Sequence, residues 1–280
     1  EILTRDWSSD VCSSDLLAQR VASVASKSLS FSSAMRTGLK VFACSEHTMS
    51  HIPILKADMK KMFCVLNPSD KTKHNASVIM LHGVGDTGFF MVPYAADLSR
   101  SLPNVRFICP TAPYIYLTAR ERAKVHAWFD FPSWDEAGNN KCEGVEESCD
   151  YVNSLIQKEI DEGVDPSKII LCGFSQGAGI AIETGFGRDL PVGGIISFCG
   201  CLPNDQKFTV KEQAKKTPIM LFHGTADKHV PYPFIVKATE FIKQRGAENV
   251  ELNTYPGVKH KITRRMLDLS REFLETKLEN

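Results

Sequence analysis

The chain has 280 residues, of which 43% are hydrophobic and 24% charged, enough for one large domain with a sizeable core. Lys plus Arg equals Asp plus Glu at 33 each, so the formal net charge is zero, which argues against nucleic acid or a polybasic membrane surface as partner. No apolar run reaches the length needed to span a bilayer, so stable membrane insertion is not expected.

In chain order, residues 1–16 are set aside first. Asp6–Leu16 reads DWSSDVCSSDL, the translation of a common sequencing-library adapter, and is treated as an assembly artefact. Residues 17–60 form a second segment, read as a disordered or transit-peptide-like tail. Leu17 to Cys44 is rich in Ser and Ala, carries Arg20, Lys27, Arg36 and Lys40, and has no acidic residue. A cytoplasmic protein is expected, or a mitochondrial or plastid one if that segment is a genuine transit peptide. Residues 61–280 are read as a single domain.

Within it, β-rich apolar runs alternate with amphipathic stretches. Phe63–Leu66 reads as an edge strand stopped by Asn67-Pro68. Ser77–Leu81, Val105–Cys109, Lys168–Cys172, Val192–Phe198 and Ile219–Phe222 read as strands, most of them continuously apolar as strands buried on both faces are. Gly144–Glu162, Gln176–Phe186, Pro233–Arg245 and Thr263–Leu278 read as helices, and Val250–Tyr255 as a last strand. Strands separated by helices imply an α/β class with a mostly parallel twisted sheet and helices on both faces.

Gly173-Phe174-Ser175-Gln176-Gly177 fits G-x-S-x-G between a buried strand and a helix. In that context the serine sits on a sharp strand-to-helix turn, and the flanking glycines remove Cβ clashes. The pattern resembles the nucleophile elbow of the α/β-hydrolase fold. A serine hydroxyl needs a base and an orienting acid. The chain order Ser, acid, His selects Asp227, in His223-Gly224-Thr225-Ala226-Asp227 after a strand, and His260, in the last loop before the closing helix. Asp189 and Asp205 are weaker rivals for the acid. His82, His126, His223 and His229 compete less well for the base. His82-Gly83-Val84-Gly85-Asp86 follows the first buried strand. Its Val84 amide and the Gln176 amide are the expected oxyanion donors. Neither phosphate-binding glycine pattern is present, and Asp86 would repel phosphate.

The nine cysteines show no CxxC pair and are read as buried, reduced thiols. Cys199 and Cys201 form a CxC, a weak metal signal.

Four motifs in order, LHGVGDTG, CGFSQGAG, FHGTADKHVPY and YPGVKH, resemble the acyl-protein thioesterase and lysophospholipase-like carboxylesterase family, as do ICPTAP, AWFDF and DPSKIIL. The resemblance covers about Ser77 to the C-terminus. It implies an α/β hydrolase without a large cap domain, hydrolysing acyl thioesters or carboxylesters of acylated proteins or lysolipids. It also implies Ser175, Asp227 and His260 as catalytic residues, Val84 and Gln176 as oxyanion donors, and no metal or organic cofactor. A weak homodimer is compatible with it. Trp128, Phe129, Cys201 and Leu202 are expected at the substrate, with Tyr114–Trp134 as an apolar channel or as ordinary core. The chain departs from the family pattern at His260-Lys261-Ile262, at Cys201 where a Trp is usual, and in SQGAG. These departures bear on substrate preference. Two other readings stay open at this point: a small-ester carboxylesterase of unrelated substrate, and a non-catalytic binder on the same fold.

Overall fold

The computed structural model describes residues 54–58, 63–68, 74–133, 142–200, 202–203 and 207–278. The expectations for residues 1–16, and those for residues 17–53, lie outside the described residues, as do Cys201 and Asp205.

The strands are β1 (Ile54–Asp58), β2 (Phe63–Asn67), β3 (Ala76–Leu81), β4 (Val105–Cys109), β5 (Tyr114–Leu117), β6 (Ala123–His126), β7 (Ile169–Phe174), β8 (Gly194–Phe198), β9 (Ile219–Gly224) and β10 (Val250–Tyr255). The helices are α1 (Gly88–Leu98), α2 (Val145–Asp161), α3 (Gln176–Phe186), α4 (Tyr232–Gln244) and α5 (Arg264–Leu278). Among the described residues, eight strands form one sheet in the order β1-β2-β4-β3-β7-β8-β9-β10. β1, β2 and β4 pair antiparallel; every pairing from β4 through β3 to β10 is parallel.

Period-two alternation divides the core in two. On β3, Ile79 and Leu81 join one cluster while Val78 and Met80 join the other; on β7, Ile169 and Leu171 oppose Ile170, Cys172 and Phe174. The first cluster takes in α2, α3 and α4, and the second takes in α1 and α5. Both faces of the central strands are thus covered, which is why these strands read as unbroken apolar runs.

The structure differs from the sequence reading at the sheet's antiparallel end, at a hairpin after β4 and at helix α1, which the sequence reading does not contain. The sheet begins before residue 61, because Ile54–Asp58 pairs antiparallel with Phe63–Asn67, so Phe63–Leu66 is not the edge. ILKAD is short and carries Lys56 and Asp58, so it lacks the apolar length that marks the other strands. Tyr114–Leu117 and Ala123–His126 form a separate two-stranded hairpin. Tyr114 and Tyr116 stand out from it, 58% and 52% exposed, with Lys124 and Arg122 over the Tyr116 ring.

Candidate active site

The loops after β3, β7, β8, β9 and β10 meet at the carboxyl edge of the parallel sheet, where open α/β sheets place their sites. Ser175 follows β7 directly and holds φ 53° and ψ −118°, a strained backbone for a non-glycine residue. Its N–H donates to Phe198 O at the end of β8, 2.8 Å away, and its carbonyl accepts from the Ala178 amide in the first turn of α3. The flanking glycines are there for space. A Cβ on Gly173 would lie 2.4 Å from Gly177 O, and one on Gly177 would lie 2.5 Å from the carbonyl oxygens of Leu81 and His82.

Asp227 and His260 arrive from neighbouring loops that are tied together. Thr225 N donates to Tyr255 O, Ala226 N to Val258 O, and Gly257 N to Thr225 Oγ1. This stitching brings His260 Nδ1 to 2.7 Å from Asp227 Oδ2. The other carboxylate oxygen of Asp227, Oδ1, accepts the amides of His229 and Val230, each at 2.9 Å. Burial pushes the Asp227 carboxyl up. The His260 hydrogen bond and charge, with the two amides, outweigh it and hold the group below the usual carboxylate range. The imidazole of His260 is flanked by Phe174, with ring centroids 4.9 Å apart, and by the exposed ring of His229 at 5.1 Å.

The loop after β3 lies against the serine: a Cβ on Gly83 would meet Ser175 Cβ at 3.3 Å. Its shape comes from His82. Ala112 N–H donates to His82 Nε2 at 2.9 Å, so Nδ1 carries the proton and donates to Gly83 O at 2.7 Å. Burial drives this histidine down to about 4, so it is neutral. The Trp128 indole N–H donates to His82 O, and Gly85 N to His126 O, at 2.8 and 2.7 Å. Neither the Val84 amide nor the Gln176 amide takes part in a hydrogen bond among the described residues. The Gln176 side chain bridges the Trp128 amide and the Phe129 carbonyl at 2.8 and 2.7 Å. Asp86 in the same loop is pushed up to about 6 by burial, against the opposing charges of Arg120 and His260.

Trp128, Phe129 and Leu202 are 1%, 6% and 3% exposed and pack in the core. The Trp128 indole N–H, buried and in need of an acceptor, donates to His82 O. Of the competing groups, His223 is fully buried with Nε2 2.8 Å from Val230 O, His126 Nδ1 meets Ala112 O, and Asp189 pairs with Lys211. The described cysteines are all free thiols. One of them, Cys199, lies beside Asp227 and His260. Its CxC was the only sequence signal pointing there.

The profile of the family described as Phospholipase/Carboxylesterase matches residues 62–278. The chain belongs to that family. An acyl-protein thioesterase 1 of Emericella nidulans is 37% identical over 201 residues, covering 67% of this chain and 84% of that protein. An acyl-protein thioesterase 1 homolog of Dictyostelium discoideum is 31% identical over 210 residues, 74% of this chain and 92% of that protein. Among solved structures, Arabidopsis thaliana SOBER1 superposes with a TM-score of 0.68 at 30% identity, over 73% of this chain and 99% of that one. Membership of the phospholipase/carboxylesterase family makes the chain a serine ester hydrolase on the α/β-hydrolase fold. No helix among the described residues is long and apolar enough to cross a membrane.

Proposed function

We propose that this phospholipase/carboxylesterase family member hydrolyses acyl thioesters and carboxylesters, on acylated proteins or lysolipids, by two-step acyl transfer. Ser175 is the nucleophile, His260 the general base and Asp227 the residue that orients it. The reading is carried by the 2.7 Å contact between His260 Nδ1 and Asp227 Oδ2, with the His260 ring 4.9 Å from that of Phe174, the residue that precedes a serine held on a strained turn. With Nδ1–H given to Asp227, Nε2 of His260 is the basic nitrogen. It takes the Ser175 proton as Oγ attacks the acyl carbonyl, then returns it to an alcohol leaving group; a thiolate leaves with less help. Water repeats the attack on the acyl-enzyme. The unengaged Val84 and Gln176 amides receive the oxyanion, each worth about 3–4 kcal/mol in the barrier. His82 and Trp128 hold the loop that presents Val84. The acyl-protein thioesterase names of the relatives support an acylated substrate.

The test is fluorophosphonate labelling of the full chain and of its Ser175→Ala variant, followed by a panel of acyl thioesters and oxyesters of graded length. Labelling of the parent alone is the expected result. A folded parent that stays unlabelled overturns the mechanism and returns the fold to a binding role.

A further inference from the structure

The proposed mechanism leaves Cys199 unused, yet this thiol stands against its base and acid. Cys199 Sγ, a carboxylate oxygen of Asp227 and a ring nitrogen of His260 all lie within 4.8 Å of one another. Cys199 and the Asp227 side chain are fully buried, and the His260 side chain is 14% exposed, so a cation would enter past the imidazole. The thiol also sits at a backbone φ of 52°, unusual for cysteine, with Lys261 O at 3.6 Å as its hydrogen-bond acceptor. We propose that Cys199, Asp227 and His260 form an inhibitory binding site for a thiophilic divalent cation of the Zn²⁺ class.

The donor set selects that class. One sulfur, one imidazole nitrogen and one carboxylate oxygen suit Zn²⁺ and its softer analogue Cd²⁺, whereas Mg²⁺ and Ca²⁺ take oxygen ligands. Metal–ligand distances of about 2.0–2.3 Å put neighbouring donors about 3.5 Å apart around a tetrahedral ion. The longest edge of the triangle therefore closes by roughly 1 Å, within the reach of side-chain rotation. Asp227 supplies its negative charge ready-made. Burial holds the thiol protonated, so binding displaces that proton: the thiol and M²⁺ give a thiolate–metal bond and H⁺, which passes to solvent, with no redox change. His260 contributes a nitrogen lone pair. If Nδ1 binds the ion, the ring proton moves to Nε2, which then cannot accept the Ser175 proton. If Nε2 binds, its lone pair is taken. In both cases the base is lost and the hydrolase is silenced until the ion is removed.

This proposal rests on the catalytic reading above, and its test separates the two. The full chain and its Cys199→Ser variant are labelled with a fluorophosphonate in chelator and in graded Zn²⁺. Both proteins are also titrated with Cd²⁺ in the ultraviolet, where thiolate-to-cadmium charge transfer absorbs. The parent is expected to lose labelling with Zn²⁺ and regain it with chelator, the variant to need at least about tenfold more Zn²⁺, and the parent alone to show the added cadmium band. Equal Zn²⁺ sensitivity in the two proteins overturns the proposal, since chelation by His260 and His229 without the thiol would do that. So does a cadmium spectrum unchanged by the substitution. If Cys199→Ser folds poorly, Cys199→Ala gives the same comparison. If the metal-free parent does not label, the catalytic reading falls, and the cadmium difference still decides the site.

Discussion

At the scale of single residues, the site depends on a few side chains and on the absence of others. Asp227→Asn keeps the size of the side chain but exchanges a carboxylate for an amide that no longer favours Nδ1–H on His260. A fall of about 10⁴ in kcat with KM little changed is expected from steady-state kinetics, since the loss is confined to the transition state. The glycines make an opposite kind of demand. A methyl group on Gly177 would stand 2.5 Å from the backbone oxygens of Leu81 and His82, and neither can move without bending β3. Gly177→Ala should therefore lower stability by about 1–3 kcal/mol, read as a shift in urea midpoint, and reduce labelling of Ser175 through displacement of the turn. These residues were legible in the sequence because their chemistry is local: an elbow needs its glycines wherever it occurs, and the order Ser, Asp, His follows from the fold. Cys199 was not legible as a neighbour of the pair, since only the register of β8 beside β9 brings residue 199 to the loops that carry 227 and 260.

At the scale of elements, what was readable follows from burial. β3, β7 and β8 are covered on both faces, so each is a continuous apolar run with clear ends. α2 and α5 are covered on one face and show helical periodicity. α1 escaped the reading because Gly88-Phe89-Phe90-Met91-Val92-Pro93 is apolar all round and carries a proline that removes an internal hydrogen bond. It forms a helix because Met91, Ala95 and Leu98 fill the second core. The β5–β6 hairpin escaped because its turn has no Gly, Asn or Pro. Glu121 and Arg122 adopt φ of 51° and 60° instead, and the flanking hydrogen bonds hold them there. The segment after this hairpin has its effect through Trp128, whose indole is tied to His82 O. Trp128→Phe keeps an aromatic ring of smaller volume and leaves that buried carbonyl short of a donor. A stability loss of about 1–3 kcal/mol is expected. A fall in kcat larger than the change in KM would show that the Val84 loop has moved, and unchanged kinetics would refute the coupling.

At the scale of the whole molecule, two glutamates on packed helices, Glu159 buried and Glu183 half-buried, pull the pH dependence of stability in opposite directions. Glu159 on α2 accepts Ser77 Oγ at 2.5 Å and Arg106 Nη1 at 2.9 Å, with His74 Nε2 at 3.4 Å. Burial raises its pKa, but these donors outweigh burial and hold it below the ordinary carboxylate value. Its stabilisation is therefore present above the unfolded value of 4.5 and is lost as pH falls through the lower folded value. Glu183 on α3 has the reverse balance. Its Oε1 is buried without a hydrogen-bond partner, and burial pushes the carboxyl up to about 8. Between 4.5 and about 8 the unfolded chain ionises this group while the folded protein keeps its proton, so stability falls as pH rises across that window. Taken together, the contributions of these two groups peak near pH 4.5, where the windows meet: in the folded protein Glu159 is ionised and Glu183 still keeps its proton. Replacing Glu183 by Gln supplies an uncharged side chain of the same length and removes only the alkaline slope. The difference in Tm between Glu183→Gln and the parent should accordingly be small at pH 5 and grow steadily to pH 8. The reciprocal change, Glu159→Gln, strips a hydrogen-bonded charge from Arg106 and should lower Tm most at neutral pH and least near pH 3. A Glu183→Gln difference that stays flat from pH 5 to 8 would mean the carboxyl reaches water in the native state.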